Sequence, residues 1–493
     1  MTLEGSAVDV ATTRLGHCAC GELAEGTIVV VYKPVCSLGR AVLPVRPAAT
    51  AIDGHRFGGS RPLILRALGG GATQFPEREG TLSPAMTHNA IEFDDIETAR
   101  ERLDDESVVK HTPVERSTSL DELTGGEVHL KMEHLQWTGS FKTRGAYNKI
   151  SKCVAEDDVE RVVAASAGNH AQGVALAATK LGVDSTIVMP RTAPQAKVDA
   201  TRNYGADVEL VGTDFREAMA HARELADDET EFVHAYDDPA IVAGQGTLGL
   251  EMYEDLPEVD TIVVPIGGGG LISGIATAFA ELSPETRVVG VQAAGAATVP
   301  DSLDKGLPVS LESVDTIADG IATGGISELT LSLIEDHVDE VVTVTDGEIA
   351  RAILLLLERA KQVVEGAGAA SVAAIISEEL DVSDETVMPL LCGGNLDMTM
   401  LQTVLVHALS DREQLLRLRV RIDDRSGKME EISGLIAKHN ANIQNVRHDR
   451  SAPELDVGEA YLRFQVETSG AGQARAIIRS IRDHGYEVKH VNA

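Results

Sequence analysis

Between Glu92 and Leu409 the chain alternates short β-branched runs with stretches of helical spacing, and few folds accommodate that rhythm. Val162–Ala165 precedes a helical pattern at Gln172–Lys180. Ser185–Val188 ends at Met189-Pro190, and Val208–Val211 follows another helical stretch that closes at Tyr204-Gly205. Thr261–Pro265 leads into Ile272–Glu281, and Val288–Val291 comes next. Strand–helix–strand repetition predicts parallel sheets covered on both faces, because each crossover lays a helix against the sheet. The segment is too long for one compact sheet, so the expected architecture is α/β, with two lobes and a cleft between them.

The two ends of the chain depart from this rhythm. At 493 residues there is room for about three domains. The first 85 residues hold 7 acidic and 8 basic side chains, so nearly all of the net charge of −34 lies beyond them. They hold three of the five cysteines (Cys18, Cys20, Cys36) and apolar runs of no lasting period. Cys18-Ala19-Cys20 has a one-residue spacer and no second pair, which is not a zinc pattern. The acidic composition begins after Met86, at Ile91-Glu92-Phe93-Asp94-Asp95. Residues 1–85 are therefore expected to be a disordered or non-native extension, with Met86 as the natural start and residues 86–410 as the two-lobed body. Residues 414–493 read differently again. Leu416–Ile422 alternates as a strand, Lys428–His439 is helical, and Asn442–Asp449 with Ala460–Thr468 reads as a strand pair. A helix at Gln473–His484 and a strand at Glu487–Val491 complete a βαββαβ unit, the ferredoxin-like arrangement.

The charge excludes some functions. A chain at −34 repels nucleic acid and acidic membrane surfaces, so neither is an expected partner. Such acidity reads as adaptation to high salt, where screening removes self-repulsion. No apolar run approaches the roughly 20 residues of a membrane span, and no secretory pattern is present. Five cysteines make no disulfide framework. The cytoplasm is the expected location.

Four segments carry chemistry. In Thr138-Gly139-Ser140-Phe141-Lys142-Thr143-Arg144-Gly145, Lys142 sits among small and apolar neighbours. Burial there favours the neutral amine that attacks carbonyls, although most lysines are solvated surface groups. Ser166-Ala167-Gly168-Asn169-His170 lies between strand and helix, where backbone N–H groups suit a carboxylate and Asn169 can orient a ring; an ordinary helix cap is the alternative. Gly267-Gly268-Gly269-Gly270-Leu271 strips a strand-to-helix turn of side chains, so that its amides can surround a phosphate. It lacks the endings of nucleotide-binding loops, and a merely flexible turn is the other reading. Leu391-Cys392-Gly393-Gly394-Asn395 is a further strand end opening into glycines, where Cys392 can equally be a small buried apolar residue.

Together and in this order the four resemble the fold-type II pyridoxal-phosphate enzymes, and within them the threonine dehydratases, over roughly Glu92–Ser410. The resemblance implies a two-lobed, tryptophan synthase β-like fold with pyridoxal 5'-phosphate as cofactor. Lys142 is implied to hold the cofactor covalently and to act as catalytic base, Asn169 to contact the pyridoxal 3'-oxygen, and Cys392 to face the pyridine nitrogen. Gly267, Gly268, Gly269, Gly270 and Leu271 are implied to hold the phosphate, and Ser166, Ala167, Gly168, Asn169 and His170 the substrate carboxylate. The implied reaction is dehydration and deamination of L-threonine to 2-oxobutanoate, with L-serine as secondary substrate. Serine dehydratase and serine racemase are the alternatives on the same scaffold. The family's racemases use a serine as second acid/base at the place of Ala167, and Gln292–Val299 lacks their metal-binding carboxylates, so racemisation and a metal there are not expected. A catalytically silent amino-acid sensor is the reading from another class. The tail resembles an ACT domain at Asp423–Met429 and Ala441–Ile443, which implies an amino-acid effector (isoleucine the candidate, near Gly427 and Asn442) and a homo-oligomer, dimer or tetramer.

Overall fold

The computed structural model describes residues 64–67, 71–74, 91–156, 159–377 and 379–491. Two separate sheets build the body. The larger has eight strands in the order Gly71–Gln74, Ile64–Ala67, Glu340–Val344, Arg287–Ala293, Thr261–Pro265, Thr386–Pro389, Glu127–Lys131, Val114–Arg116. Only the pairs at its two ends are antiparallel. The smaller sheet is wholly parallel, ordered Asp207–Leu210, Asp184–Met189, Arg161–Ala165, Thr230–Phe232. The expected two α/β units are present. Their cores rest on branched aliphatics and alanine, with Val263, Val264, Val289, Val341 and Ala370 buried in the large unit and Val162, Ile187 and Ala175 in the small one. Each fully buried Val or Ile contributes about 1.5–3 kcal/mol, which compensates for aromatics at 3% of the chain.

The elements start and stop close to where the periodicity places them. Thr261–Pro265 and Asn442–Asp449 match residue for residue. Helices open earlier than expected: the pattern at Gln172 belongs to a helix that begins at Asn169, and the one at Ile272 begins at Gly270. Glycine and asparagine in a first helical turn carry no apolar period, so spacing alone misses them. Within the 1–85 segment, Ile64–Ala67 and Gly71–Gln74 form an antiparallel pair on the edge of the large sheet, with Ile64 in register with Glu340. The expected disorder of the rest of that segment and the Cys18-Ala19-Cys20 pair lie outside the described residues. Among the described residues no helix is long and apolar enough to cross a membrane.

A buried ion cluster ties the two units together beneath the Lys142 segment. Arg144 and Glu133 are 1% and 0% exposed, and the Arg144 guanidinium also reaches Glu251, its Nε at 2.7 Å from Glu133 Oε1 and its Nη1 at 2.7 Å from Glu251 Oε1. Lys131, also buried, pairs with Glu251 at 3.2 Å and Asp255 at 2.8 Å. Glu133, Arg144 and Glu251 come from a short turn, the helix Lys142–Glu156 and the helix Pro239–Asp255. The first turn of the Lys142 helix is thus fixed from two sides.

Beyond the body, Leu415–Asp423, Asn442–Asp449, Glu459–Glu467 and Glu487–His490 form a four-stranded antiparallel sheet. The spatial order places the second strand of the unit beside the third, then the first, then the fourth, which is the ferredoxin-like order. Helices Lys428–Ala437 and Ala471–Asp483 cover one face, where Leu418, Val420, Phe464, Ile436 and Ile477 share a core.

Candidate active site

The four chemistry-bearing segments sit at or just beyond the carboxyl ends of parallel strands, or against one another there, the usual place for ligands in open α/β sheets. Lys142 opens its helix directly after an antiparallel bridge between Ser140 and Gly393, and the Phe141 amide donates to the Cys392 carbonyl at 3.3 Å. Two segments 250 residues apart in sequence are thereby held side by side. The Lys142 ammonium donates to the Ala235 carbonyl at 3.0 Å and has no carboxylate partner among the described residues. Burial draws its pKa down from 10.5 to about 8, which raises the fraction of nucleophilic neutral amine.

Asn169 begins its helix after Gly168, and both ends of its amide are engaged. Its Nδ2 donates to Glu365 Oε1 at 2.7 Å, and its Oδ1 accepts from Asn395 Nδ2 at 2.8 Å. Asn395 in turn donates to the Thr138 carbonyl at 2.7 Å, so the second, first and fourth segments join in one chain of hydrogen bonds. The Asn169 amide is oriented and retains one N–H. Ser166 Oγ accepts from the Gly168 amide at 3.2 Å. Ala167 is half-buried against the small core. The His170 ring faces the Val233 carbonyl at 3.0 Å, and burial, reinforced by Lys142, drives its pKa to about 3, so the ring is neutral.

The glycine turn has steric reasons for its composition. A Cβ on Gly268 would come within 2.2 Å of the Tyr236 ring, and Gly269 has φ +92°, open to glycine at little cost. Thr330 Oγ1 donates to the Gly268 carbonyl at 2.9 Å and anchors the turn, from which the helix Gly270–Leu282 starts. Free amides of such a turn suit an anion. Cys392 is buried at 2% exposure, and burial together with the nearby Glu365 pushes its thiol well above the usual range. It is a neutral thiol.

Sequence reasoning missed two parts of this site. One is the segment Val233–Tyr236, which supplies the carbonyls opposite His170 and Lys142 and the ring under Gly268. Nothing in its composition marks it. The other is Glu365, a buried carboxyl at the cap of the helix Gly366–Ile376. An acid followed by Gly-Ala-Gly-Ala-Ala, in an otherwise apolar helix, was the signal available. Burial first, and Asp319 second, push its pKa up from 4.5 to about 7. Because the folded value lies above the ordinary one, the stability tied to the protonated form is complete below about 4.5 and is lost as pH rises through about 7. In cofactor-free protein the urea midpoint is therefore expected to fall across that window, and to fall less in Glu365→Gln. Equal falls in both proteins would refute a buried carboxyl titrating near neutrality.

The two remaining residues, Gly427 and Asn442, lie apart from this cleft, in the C-terminal unit. Gly427, at φ +90°, precedes the helix Lys428–Ala437, and the exposed Asn442 donates to Glu467 at 3.0 Å.

A lysine with a lowered pKa, an oriented amide, a side-chain-free turn at a helix start and a neutral thiol fit a carbonyl-bearing aromatic ring with a phosphate. The pyridoxal-phosphate dependent enzyme family matches residues 106–393. An L-threonine ammonia-lyase from Thermotoga maritima is 45% identical over 402 residues, which covers 81% of this chain and 100% of that one. Among solved structures, the processed form of threonine deaminase isoform 2 from Solanum lycopersicum is similar with a TM-score of 0.60 and 37% identity, over 64% of this chain and 89% of that one. Maize serine racemase is similar with a TM-score of 0.61 and 34% identity, over 66% and 99% respectively. Two α/β units with parallel sheets and an antiparallel C-terminal sheet are the fold-type II architecture with an added unit. The chain therefore belongs to the pyridoxal-phosphate dependent enzyme family, beside its L-threonine ammonia-lyases.

Proposed function

We propose that this enzyme converts L-threonine to 2-oxobutanoate and ammonia in the cytoplasm, with L-serine as a secondary substrate. The observation that carries the reading is Lys142, a poorly solvated amine with only a backbone carbonyl for a partner, placed among the Asn169, glycine-turn and Cys392 segments. When bound, pyridoxal phosphate supplies an electron sink that stabilises negative charge at the substrate Cα. Lys142 would hold the cofactor and, as a free amine, would take the proton from Cα. Gly267–Gly270 and Leu271 would hold the phosphate with backbone amides, and Asn169 would offer its remaining N–H to the ring oxygen. The turn Ser166–His170 orients the substrate carboxylate, with neutral His170 adding no charge of its own. Cys392 would stand at the ring nitrogen, where its uncharged thiol would not enforce protonation.

Fold similarity does not separate lyase from racemase, since both kinds of solved structure match equally well. Residue 167 separates them. A racemase needs a proton donor on the opposite face of Cα, and the methyl group of Ala167 has no proton to give. A keto-acid assay with threonine and serine, together with a chiral assay for D-serine, tests this. Threonine is expected to be preferred by about 10–200-fold, the worth of one methyl group, with no D-serine formed. Serine turning over faster than threonine, or D-serine accumulating, would reverse the assignment.

The C-terminal unit is proposed to bind an amino-acid effector, isoleucine the candidate, near Gly427 and Asn442, and to pair subunits into a dimer or tetramer. Its ferredoxin-like topology and its separate core support this reading. Isoleucine is expected to change the threonine KM of the full chain. A chain ending at Gln414 is expected to keep activity and lose that response, and retention of the response would place the effector elsewhere.

A further inference from the structure

The open face of the C-terminal sheet carries a charge pattern that neither the catalytic reading nor the effector reading uses. Strand register sets Arg447 opposite Arg463, Arg463 opposite Arg419, and Arg419 opposite Lys489. Four cations thus form one row across all four strands, on the face away from the helices. At a strand spacing of about 4.8 Å the row is roughly 15 Å long. Like charges directly opposite each other destabilise a sheet, and here three successive pairs do so. The rest of the chain makes the row more unusual. Residues 414–493 hold 13 Lys and Arg against 11 Asp and Glu, so the entire negative charge of the protein lies outside them.

The row is neutralised only in part from within, since three of its four cations have one carboxylate partner each and Arg447 has none among the described residues. Asp449 pairs with Arg463 at 2.7 Å and Glu454 with Arg419 at 2.8 Å, while Lys489 has only Glu487 at 3.5 Å. Arg447 and its neighbour Arg417 make no ion pair among the described residues. Arg419 Nε is buried with no hydrogen-bond acceptor. All five line one concavity of about 660 Å³, with the amides of Asn445 and Gln465 beside them. That volume suits a small molecule.

We propose that this face binds a small oligophosphate. Arginine forks match phosphate oxygens and stay charged at any working pH. A row of four cations calls for a ligand with three or more charges within a short linear span, which a linear triphosphate carries. A neutral amino acid, with one carboxylate and a repelled ammonium, does not, so this site is distinct from the effector site proposed above and independent of it. Long polyanions are kept off by the charge of the body, and the same face of a second copy would meet it cation against cation.

Titration of the cofactor-saturated full chain with sodium tripolyphosphate, followed by calorimetry, tests the assignment. Saturable binding, one per chain and weakening with added salt, is expected. Arg447→Gln with Arg463→Gln is expected to weaken it about tenfold or more, with threonine turnover and melting temperature unchanged. Arg475→Gln with Arg479→Gln, on the outer surface of the helix covering the opposite face, is the control and should leave binding as it was. The proposal is overturned by any of four results: no saturable binding, equal weakening in the control pair, tighter binding of citrate than of tripolyphosphate, or light scattering showing that Arg447→Gln with Arg463→Gln separates subunits otherwise joined through this face.

Discussion

Lys142→Ala should abolish threonine turnover while leaving the fold intact. Among the described residues the Lys142 ammonium touches one backbone carbonyl and no carboxylate, so its removal strands no buried charge there and costs little stability. The chemistry loses more. Without the amine the proton at Cα loses its base: His170 is held neutral with a pKa near 3, the Cys392 thiol is raised out of reach, and the Glu365 carboxylate is already engaged by the Asn169 amide at 2.7 Å. Loss of a positioned general base alone is worth about 10²–10⁴ in rate, and loss of the covalent anchor adds to it. A keto-acid assay together with the visible absorbance of cofactor-saturated protein reads both effects. The absorbance of the bound cofactor is expected to change in Lys142→Ala, and the keto acid to disappear. Wild-type protein that shows no cofactor absorbance would instead describe a silent sensor, and activity surviving in Lys142→Ala would move the base elsewhere.

Arg144→Met has the largest expected effect on stability. Arg144 lies two residues beyond Lys142 in the same helical turn and neutralises Glu133 and Glu251 from within the core. Removing it leaves the Glu133 carboxylate, fully buried, without its cation, while Lys131 continues to serve Glu251 and Asp255. Breaking a buried ion pair from one side costs about 3–5 kcal/mol, because the remaining charge keeps its desolvation penalty. The urea midpoint should drop accordingly and activity should fall with it, as the turn carrying Lys142 loosens. A double variant, Arg144→Met with Glu133→Leu, should recover part of the loss, since no orphaned charge remains on that side. A single variant as stable as wild type would show that the cluster is solvated in a way its burial contradicts.

Much of the body was legible because buried parallel strands must be apolar and β-branched and the helices between them must repeat near 3.6 residues. That constraint is local, so Thr261–Pro265 and the βαββαβ rhythm of the tail can be read from neighbours along the chain. Three of the candidate segments were legible for another reason: the turns at Ser166–His170, Gly267–Leu271 and Leu391–Asn395 are strand ends opening into small residues, a pattern that suits close approach of backbone to a ligand.

What the chain alone does not encode locally is the company these segments keep. Glu365 is an unremarkable acid until folding places it 2.7 Å from Asn169, 196 residues away, and removes its water. Val233–Tyr236 becomes part of the site only because its strand ends beside the Lys142 and Gly268 segments. The cationic row on the C-terminal sheet exists only in the register of four strands, since Arg419, Arg447, Arg463 and Lys489 are scattered in sequence. By itself the sequence determined most of the elements, which follow from residue type and local spacing, and through the resemblance of its four segments it pointed to the kind of chemistry and to Lys142 as the proposed carrier. Tertiary structure alone decided which charges are buried together and which face the open, because desolvation and pairing depend on distances that only folding sets.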